Sequence, residues 1–368
     1  MTAAPGHAAG HMTRALELAR RGLWTTDPNP RVGCVLAHGE RIVGEGWHEF
    51  AGGPHAEVVA LAAAGEAARG ATAWITLEPC CHHGRTPPCS DALIAAGIGR
   101  VVYAMHDPNP RVDGGGAARL AAAGIAVEGG VLERECTELN PGFISRMTRG
   151  RPWVTVKLAA SLDGGTALPG GESRWITGEA AREDVQRLRA RSSAVMTGSG
   201  TVLGDDPRLD VRLPGASRQP LRVVLDSRLR TSPAARILAP PGKALILCTE
   251  LDDTRAEALR AAGAEVAVVA GRAGNVDLEA VLMLLAARQV NELLVECGAG
   301  LAGALLTAGL VDELLLYVAP TLLGRGARRL ADIDAPASMA ERLEFAIVEH
   351  EDVGGDLLLR LRPRPGQG

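Results

Sequence analysis

A chain of 368 residues with 46% hydrophobic content can fill two or three packed cores, at roughly 150 residues per domain, and its apolar residues are too dispersed for a membrane span. A formal charge of −4 and 3% aromatic residues leave neither the basic footprint nor the stacking platforms of a nucleic-acid surface. Seven cysteines, an odd number with three clustered at Cys80, Cys81 and Cys89, read as thiols of a reducing cytoplasm rather than a disulfide framework. The first ten residues are small and polar without an apolar signal core, so no export is expected.

In chain order, residues 11–21 carry Met12, Ala15, Leu16 and Ala19 at helical spacing and stop at Gly22. Residues 32–37 and 41–47 read as a hairpin around His38-Gly39. A helix follows at 56–64, a strand at 73–77, a helix at 90–96 and a strand at 100–105. A helix at 116–123, a short strand at 125–127 and a helix at 132–139 complete the series. Helices alternating with short β-branched strands make this half a three-layer α/β unit. The hexapeptide Asp-Pro-Asn-Pro-Arg-Val occurs at Asp27 and again at Asp107, in unlike contexts, and each copy reads as a turn.

Near Asn140-Pro141-Gly142 the first unit ends, and 146–152 reads as a charged connector, which puts the domain boundary near residue 150: 1–150 and 151–368. The second series has strands at 153–158, 194–197, 222–225, 244–248, 265–269, 292–296 and 313–318. Helices are expected at 179–190, 253–262, 278–288 and 300–308, and residues 357–361 as a last strand at the sheet edge.

Two short stretches carry the chemistry of the first half. His55-Ala56-Glu57 opens the Ala-rich helix, and Pro79-Cys80, with Cys89 behind it, closes a strand and enters the next helix. One imidazole and two thiolates are three protein ligands for Zn²⁺, and three ligands with an open position mark a catalytic rather than a structural zinc. Two thiolates cancel the ion's formal charge, so a separate proton acceptor is useful. Glu57, two residues from the histidine, is placed to take a proton from water and pass it to a leaving nitrogen. The competing assignment is a structural site closed by Cys81, His82 or His83, which leaves Glu57 without a role.

The pattern H-x-E followed by P-C-x-x-C belongs to zinc nucleobase deaminases. Here the second cysteine comes later, because Cys81 to Pro88 separate Cys80 from Cys89. With that spacing, Thr76-Leu77-Glu78-Pro79-Cys80 and His82-His83-Gly84-Arg85-Thr86-Pro87-Pro88-Cys89 resemble one branch, the bifunctional riboflavin-biosynthesis deaminase–reductases. The resemblance implies a cytidine-deaminase-like first domain acting on a diaminopyrimidinone ribosylamine phosphate, with Asn29 at the mouth of its pocket.

The second half contains Gly298-Ala299-Gly300-Leu301-Ala302-Gly303 after a strand and at the start of a helix, as a phosphate-cradling loop should be. It fails the Rossmann test, since Asp312 and Glu313 open the next strand instead of an acid closing it. The half resembles the reductase domain of the same enzymes, a fold similar to dihydrofolate reductase. The resemblance runs through Lys157 to Gly164, Glu172 to Thr177, Gly200 to Pro207 and Val224 to Ser227. It implies an NADPH site lined by Ala159, Trp175, Thr201, Asp205, Ser227, Gly298, Ala299, Gly300, Leu301, Ala302, Gly303 and Ala304. It implies substrate contacts at Ser173, Arg189, Leu209, Arg212 and Glu296. Arg189 and Arg212 are permanently charged planar forks suited to a phosphate ester. Lysine occurs only at Lys157 and Lys243. An inward-facing Lys157 beside Asp163 would be a polar element of the hydride-transfer site.

The expected function is therefore a zinc deamination followed by an NADPH reduction, on small-molecule pyrimidine ribosyl phosphates, by a homo-oligomer (dimer or tetramer) that needs neither nucleic acid nor membrane. Two other readings compete. One is a nucleic-acid-editing deaminase with an appended interaction domain, against which the acidic balance and few aromatics count. The other makes the second half a non-catalytic nucleotide-binding domain, which binding of NADPH without turnover would reveal.

Overall fold

Alternating helical and β-branched runs build two α/β units, Met1–Gly150 and Arg151–Gly368. The computed structural model describes residues 5–81, 88–110 and 112–364.

In the first unit the order is α1 (Pro5–Arg20), β1 (Gly33–His38), β2 (Arg41–Trp47), α2 (Ala56–Ala64), β3 (Thr72–Leu77), α3 (Cys89–Ala95), β4 (Arg100–Met105), α4 (Gly115–Ala122), β5 (Ala126–Gly129), α5 (Glu133–Leu139) and α6 (Pro141–Arg149). The sheet runs β2-β1-β3-β4-β5, with β1 antiparallel to both neighbours and β3, β4 and β5 parallel. Helices cover both faces, and Met12, Leu16, Ile75, Leu93, Val102 and Leu120 are in its core. Helix α2 lies directly on the backbone of β2. A Cβ on Gly46 would stand 2.4 Å from the Ala56 carbonyl oxygen, and one on Gly44 2.3 Å from that of Ala60. Two glycines on one strand thus set the depth at which His55 and Glu57 enter the molecule.

The stretch 146–152, expected as a connector, is helical up to Arg149. Pro141 stands in the first turn of α6, Gly150 ends it in the left-handed conformation (φ 66°), and Phe143 packs inward. Asn140 at its start turns its side chain to Arg31, accepting from the backbone N–H (2.8 Å) and donating to the carbonyl (3.0 Å).

The second unit continues with β6 (Trp153–Ser161), β7 (Gly165–Ala167), α7 (Glu179–Arg191), β8 (Ala194–Gly198), α8 (Ser199–Asp205), β9 (Leu221–Leu225), β10 (Ala244–Cys248), α9 (Asp253–Ala261), β11 (Ala264–Val268), the two-residue strands β12 (Gly271–Arg272) and β13 (Asn275–Val276), α10 (Leu278–Ala287), β14 (Glu292–Glu296), α11 (Ala299–Thr307), β15 (Glu313–Ala319), β16 (Arg328–Arg329), β17 (Phe345–Val353) and β18 (Asp356–Pro363). Its nine-stranded sheet has the order β11-β10-β9-β8-β14-β6-β15-β18-β17. It is parallel from β11 to β15, and β18 and β17 add an antiparallel hairpin. Strands β8, β9, β10 and β14 are buried at nearly every residue, as coverage of both faces requires.

A further expectation is corrected by the sheet order. Residues 357–361 are not the sheet edge, because β17 lies outside β18. The acidic, almost wholly exposed run of β17 hides a strand whose signal is the Gly354-Gly355 turn, both residues at positive φ. Residues 199–205 form a short helix that was not among the expected elements. No helix among the described residues is long and apolar enough to cross a membrane.

Candidate functional site

In the first unit His55 sits just before α2 in extended conformation (ψ 159°), and its carbonyl accepts from Val59 N–H at 3.1 Å. Its ring therefore leaves the helix start sideways, and Glu57 is in the first turn. Strand β3 delivers Cys80 to the same place, and α3 begins with Cys89. The two cysteine segments are stapled: Ser90 N–H donates to the Cys80 carbonyl (3.1 Å) and Cys89 N–H to the Cys80 sulfur (3.3 Å). His55 Nδ1 lies 3.1 Å from Cys89 Sγ and 3.6 Å from Cys80 Sγ, and all three donor atoms fall within 4.8 Å of one another.

That spacing fits zinc. Bonds of about 2.3 Å to sulfur and 2.0–2.1 Å to nitrogen place tetrahedral N and S donors roughly 3.6 Å apart. The three donors are the only His/Cys/Asp/Glu cluster of this kind among the described residues. Cys81 is directed elsewhere, since a Cβ on Gly115 would meet its sulfur at 2.8 Å. His82 and His83 lie outside the described residues.

Electrostatics match the donor chemistry. A hydrogen bond from Cys89, with His55 adding to it against the cost of burial, holds the Cys80 thiol well below its ordinary value. Glu57 is 3% exposed, and burial pushes its carboxyl up, which suits a group that must hold and release a proton. Two further residues stand near the triad. His48 accepts from the Asn29 amide through Nε2 (2.9 Å), donates from Nδ1 to the Pro54 carbonyl (2.9 Å), and packs edge-on against His55 with ring centres 5.5 Å apart. Asp107, from the second Asp-Pro-Asn-Pro-Arg-Val copy, is buried, and burial lifts its carboxyl to about 7. Glu78, two residues before Cys80, accepts from the Asp107 N–H at 3.4 Å and, beyond that copy, from the N–H groups of Gly114 and Ala117, both at 3.1 Å.

In the second unit a cleft of about 1780 Å³ opens at the carboxyl ends of β8, β9 and β14 and along β6, where ligands bind in parallel α/β sheets. Every predicted reductase residue lines it except Ala302 and Gly303. Ala302 is fully buried in the core. Gly303 faces away: a Cβ there would meet the Asp332 backbone oxygen at 2.0 Å, so this glycine permits helix packing rather than phosphate approach. Gly298 and Gly300 open freely, with nothing within 4 Å of a Cβ. Asp312 and Glu313 are engaged away from the cleft, by Arg151 (both oxygens at 2.9 Å) and Arg360 (2.8 Å).

Arg189 and Glu296 form a two-point ion pair, Nε to Oε1 at 2.6 Å and Nη2 to Oε2 at 2.9 Å. Burial pushes Glu296 up, but Arg189 more than offsets this and holds it below the usual carboxylate range. Lys157 faces the cleft, 5.4 Å from the Tyr317 ring centre; burial pulls its amine down against the attraction of Glu296. Asp163 is not beside it. Its carboxylate instead caps a turn, accepting from Ser161 Oγ (2.5 Å) and from the N–H groups of Leu323 (3.1 Å) and Gly324 (2.7 Å). Trp175 is 70% exposed at the rim with the Arg182 guanidinium 4.6 Å from its ring centre.

Residues 152–359 match the family described as the RibD C-terminal domain, and residues 7–105 match the cytidine and deoxycytidylate deaminase zinc-binding region. The riboflavin biosynthesis protein RibD of Escherichia coli (strain K12) is 50% identical over 364 residues, 95% of this chain and 98% of that one. The chain belongs to the RibD family. RibD of Haemophilus influenzae is 45% identical over 96% of each chain. The Acinetobacter baumannii RibD structure superposes with TM-score 0.91 at 44% identity, covering 98% of this chain and 99% of that one. A Thermotoga maritima structure, described as a diaminohydroxyphosphoribosylaminopyrimidine deaminase/5-amino-6-(5-phosphoribosylamino)uracil reductase, gives 0.87 at 34% identity, covering 98% and 99%. As a RibD-family chain carrying both domains, the protein is a bifunctional enzyme of riboflavin biosynthesis, with a zinc deaminase and a reductase.

Proposed function

We propose that residues 1–150 hydrolyse the exocyclic amine of 2,5-diamino-6-ribosylamino-4(3H)-pyrimidinone 5′-phosphate, and that residues 151–368 then reduce the ribosyl group of 5-amino-6-(5-phosphoribosylamino)uracil to ribityl. The observation that carries this reading is the pairing, in one chain, of a three-donor metal triad beside a buried carboxyl with a separate cleft rich in arginine.

His55, Cys80 and Cys89 would hold the zinc, which when bound would supply a Lewis acid able to activate water near neutral pH. Glu57 takes the proton of the attacking water and returns it to the departing nitrogen, so the amine leaves as neutral ammonia. The Asn29–His48 pair fixes the wall against which the pyrimidine is oriented.

Bound in the cleft, NADPH would supply a hydride for the ribosyl C1′. The N–H groups at the start of α11, with Gly298, Ala299, Gly300 and Leu301, would receive its pyrophosphate, and Ala159, Trp175, Thr201, Asp205, Ser227 and Ala304 would line the rest of its site. Arg212, Arg189, Ser173 and Leu209 surround the substrate phosphate end, while Glu296 and Lys157 line the cleft beside the sugar.

The protein works in the cytoplasm, in keeping with cysteines that form no disulfide among the described residues. It acts as a homo-oligomer, a dimer or tetramer. Strand β17 lies at the end of the sheet with Ile347 63% and Val348 48% exposed, an edge that natural sheets cover.

The test is incubation of the purified protein with the diamino substrate, with and without NADPH, followed by product mass. Without NADPH the product should be the deaminated ribosylamine; with it, the ribityl compound. Unchanged substrate in both would defeat the proposal.

A further inference from the structure

We propose that Asp210 is the positioning residue of the phosphate end of the reductase cleft, the group that aims the arginine forks there. This rests on reading Arg212 and Arg189 as the cations that face the substrate phosphate.

Asp210 is 2% exposed and does not itself line the cleft, whereas its neighbours Arg208, Leu209 and Arg212 do. Its carboxylate is divided between two arginines: Oδ2 accepts from Arg208 Nε at 2.8 Å, and Oδ1 accepts from Arg212 Nη1. Its backbone carbonyl accepts from Arg189 Nη1 at 3.2 Å. One residue therefore touches all three guanidinium groups.

The segment around it is fastened from two more directions. Arg212 N–H donates to Gln186 Oε1 on α7 (2.9 Å), and the Gln219 amide brackets Val211 on both sides (2.8 and 2.9 Å). Leu209 adopts φ 51°, a turn that sends residues 208 and 212 back to the same carboxylate.

The geometry leaves donors to spare. A guanidinium has five N–H groups. Arg189 uses three, two on Glu296 and one on the Asp210 carbonyl. Arg212, with its side chain 55% exposed, spends one on Asp210 and keeps its outer edge toward the cleft. A long side chain with that much freedom otherwise loses rotamer entropy when it grips a phosphate; a buried carboxylate behind it meets that cost in advance. Counting Arg189, Arg208 and Arg212 against Glu296 and Asp210, one positive charge remains for the phosphate.

The experiment compares the full-length enzyme with Asp210→Asn, using the deaminated ribosylamine substrate with and without its phosphate. Asparagine keeps the size and one acceptor but removes the charge shared by Arg208 and Arg212. The preference for the phosphorylated substrate, as the ratio of kcat/KM values, should fall about tenfold, with the change in KM rather than kcat and NADPH affinity unmoved. Asp210→Ser, which admits water in place of the carboxylate, should shrink the same ratio. Equal losses on both substrates, or no loss on either, would overturn the positioning role. Arg212→Met, measured alongside, tests the underlying assignment by itself. If that variant leaves the preference intact, the phosphate assignment falls and the role of Asp210 falls with it. If it shrinks the preference while both Asp210 variants do not, only the positioning role is lost.

Discussion

Arg189 on helix α7 and Glu296 at the end of strand β14 meet through two nitrogen–oxygen contacts in the wall of the reductase cleft, both side chains less than 15% exposed. Burial alone would make either charge expensive, so each is present because of the other. Replacing Glu296 with Gln strands the guanidinium and should destabilise the unit by about 3 kcal/mol, the low end for a broken buried pair because this one borders a cleft. The pH dependence has a definite sign. Glu296 titrates below its ordinary value of 4.5, so its contribution is complete above that pH and is lost as pH falls through 4.5 and lower. Urea unfolding of the wild type and Glu296→Gln should show a stability gap that narrows below pH 4.5. A gap independent of pH would contradict the ion-pair account.

Cys80 and Cys89 are predicted to be jointly required for zinc. Either Cys80→Ser or Cys89→Ser removes one of three donors and should leave the purified protein without stoichiometric zinc by elemental analysis, since serine is a much weaker ligand at neutral pH. Cys81→Ser should retain the metal, because that sulfur is turned toward Gly115. Zinc retained in both the Cys80 and Cys89 variants would remove the triad assignment.

Glu57→Gln preserves shape and hydrogen bonding but cannot carry a proton. The variant should bind zinc normally while deamination falls roughly 10²–10⁴-fold, the range for a general acid–base group, and toward the upper end because one carboxyl serves two transfers. Near-normal turnover would assign the proton to another side chain.

Much of this arrangement was legible in the residues themselves, and the exceptions have physical reasons. His55, Cys80 and Cys89 stood out because zinc chemistry restricts donor types, and the structure places their donor atoms together. Helix α6 carried its punctuation openly, Pro141 at one end and Gly150 at the other, but its charged face suggested a linker. Strand β17 escaped because it is exposed on nearly every residue and so has no alternation to detect. His48 was not singled out because its place against His55 is made by strand pairing and loop closure, not by spacing. Asp210 gave no signal at all. A single acid between two arginines reads as surface, and only the turn at Leu209 buries it. Within the glycine loop, sequence alone could not separate Gly298 and Gly300, which open on the cleft, from Gly303, which packs on Asp332.

The last prediction concerns independence of the two activities. The metal triad and Glu57 lie in Met1–Gly150, and the cleft with Glu296, Arg189 and the glycine loop lies in Arg151–Gly368. Each unit has its own sheet and its own buried core. Full-length point variants separate the two. Glu57→Gln should reduce pre-deaminated substrate at the wild-type rate. Gly300→Asp introduces a side chain where nothing lies within 4 Å, so it does not disturb packing, and an acid in the first turn of α11 favours the helix. The same carboxylate points its charge at the place proposed for the NADPH pyrophosphate, so reduction should fall by at least about tenfold through weakened cofactor binding, while deamination continues. Product mass after incubation with each substrate reads both reactions in one assay. Loss of both reactions in either variant, with zinc content and thermal unfolding unchanged, would show that the sites depend on one another and that the division at Gly150 does not divide the chemistry.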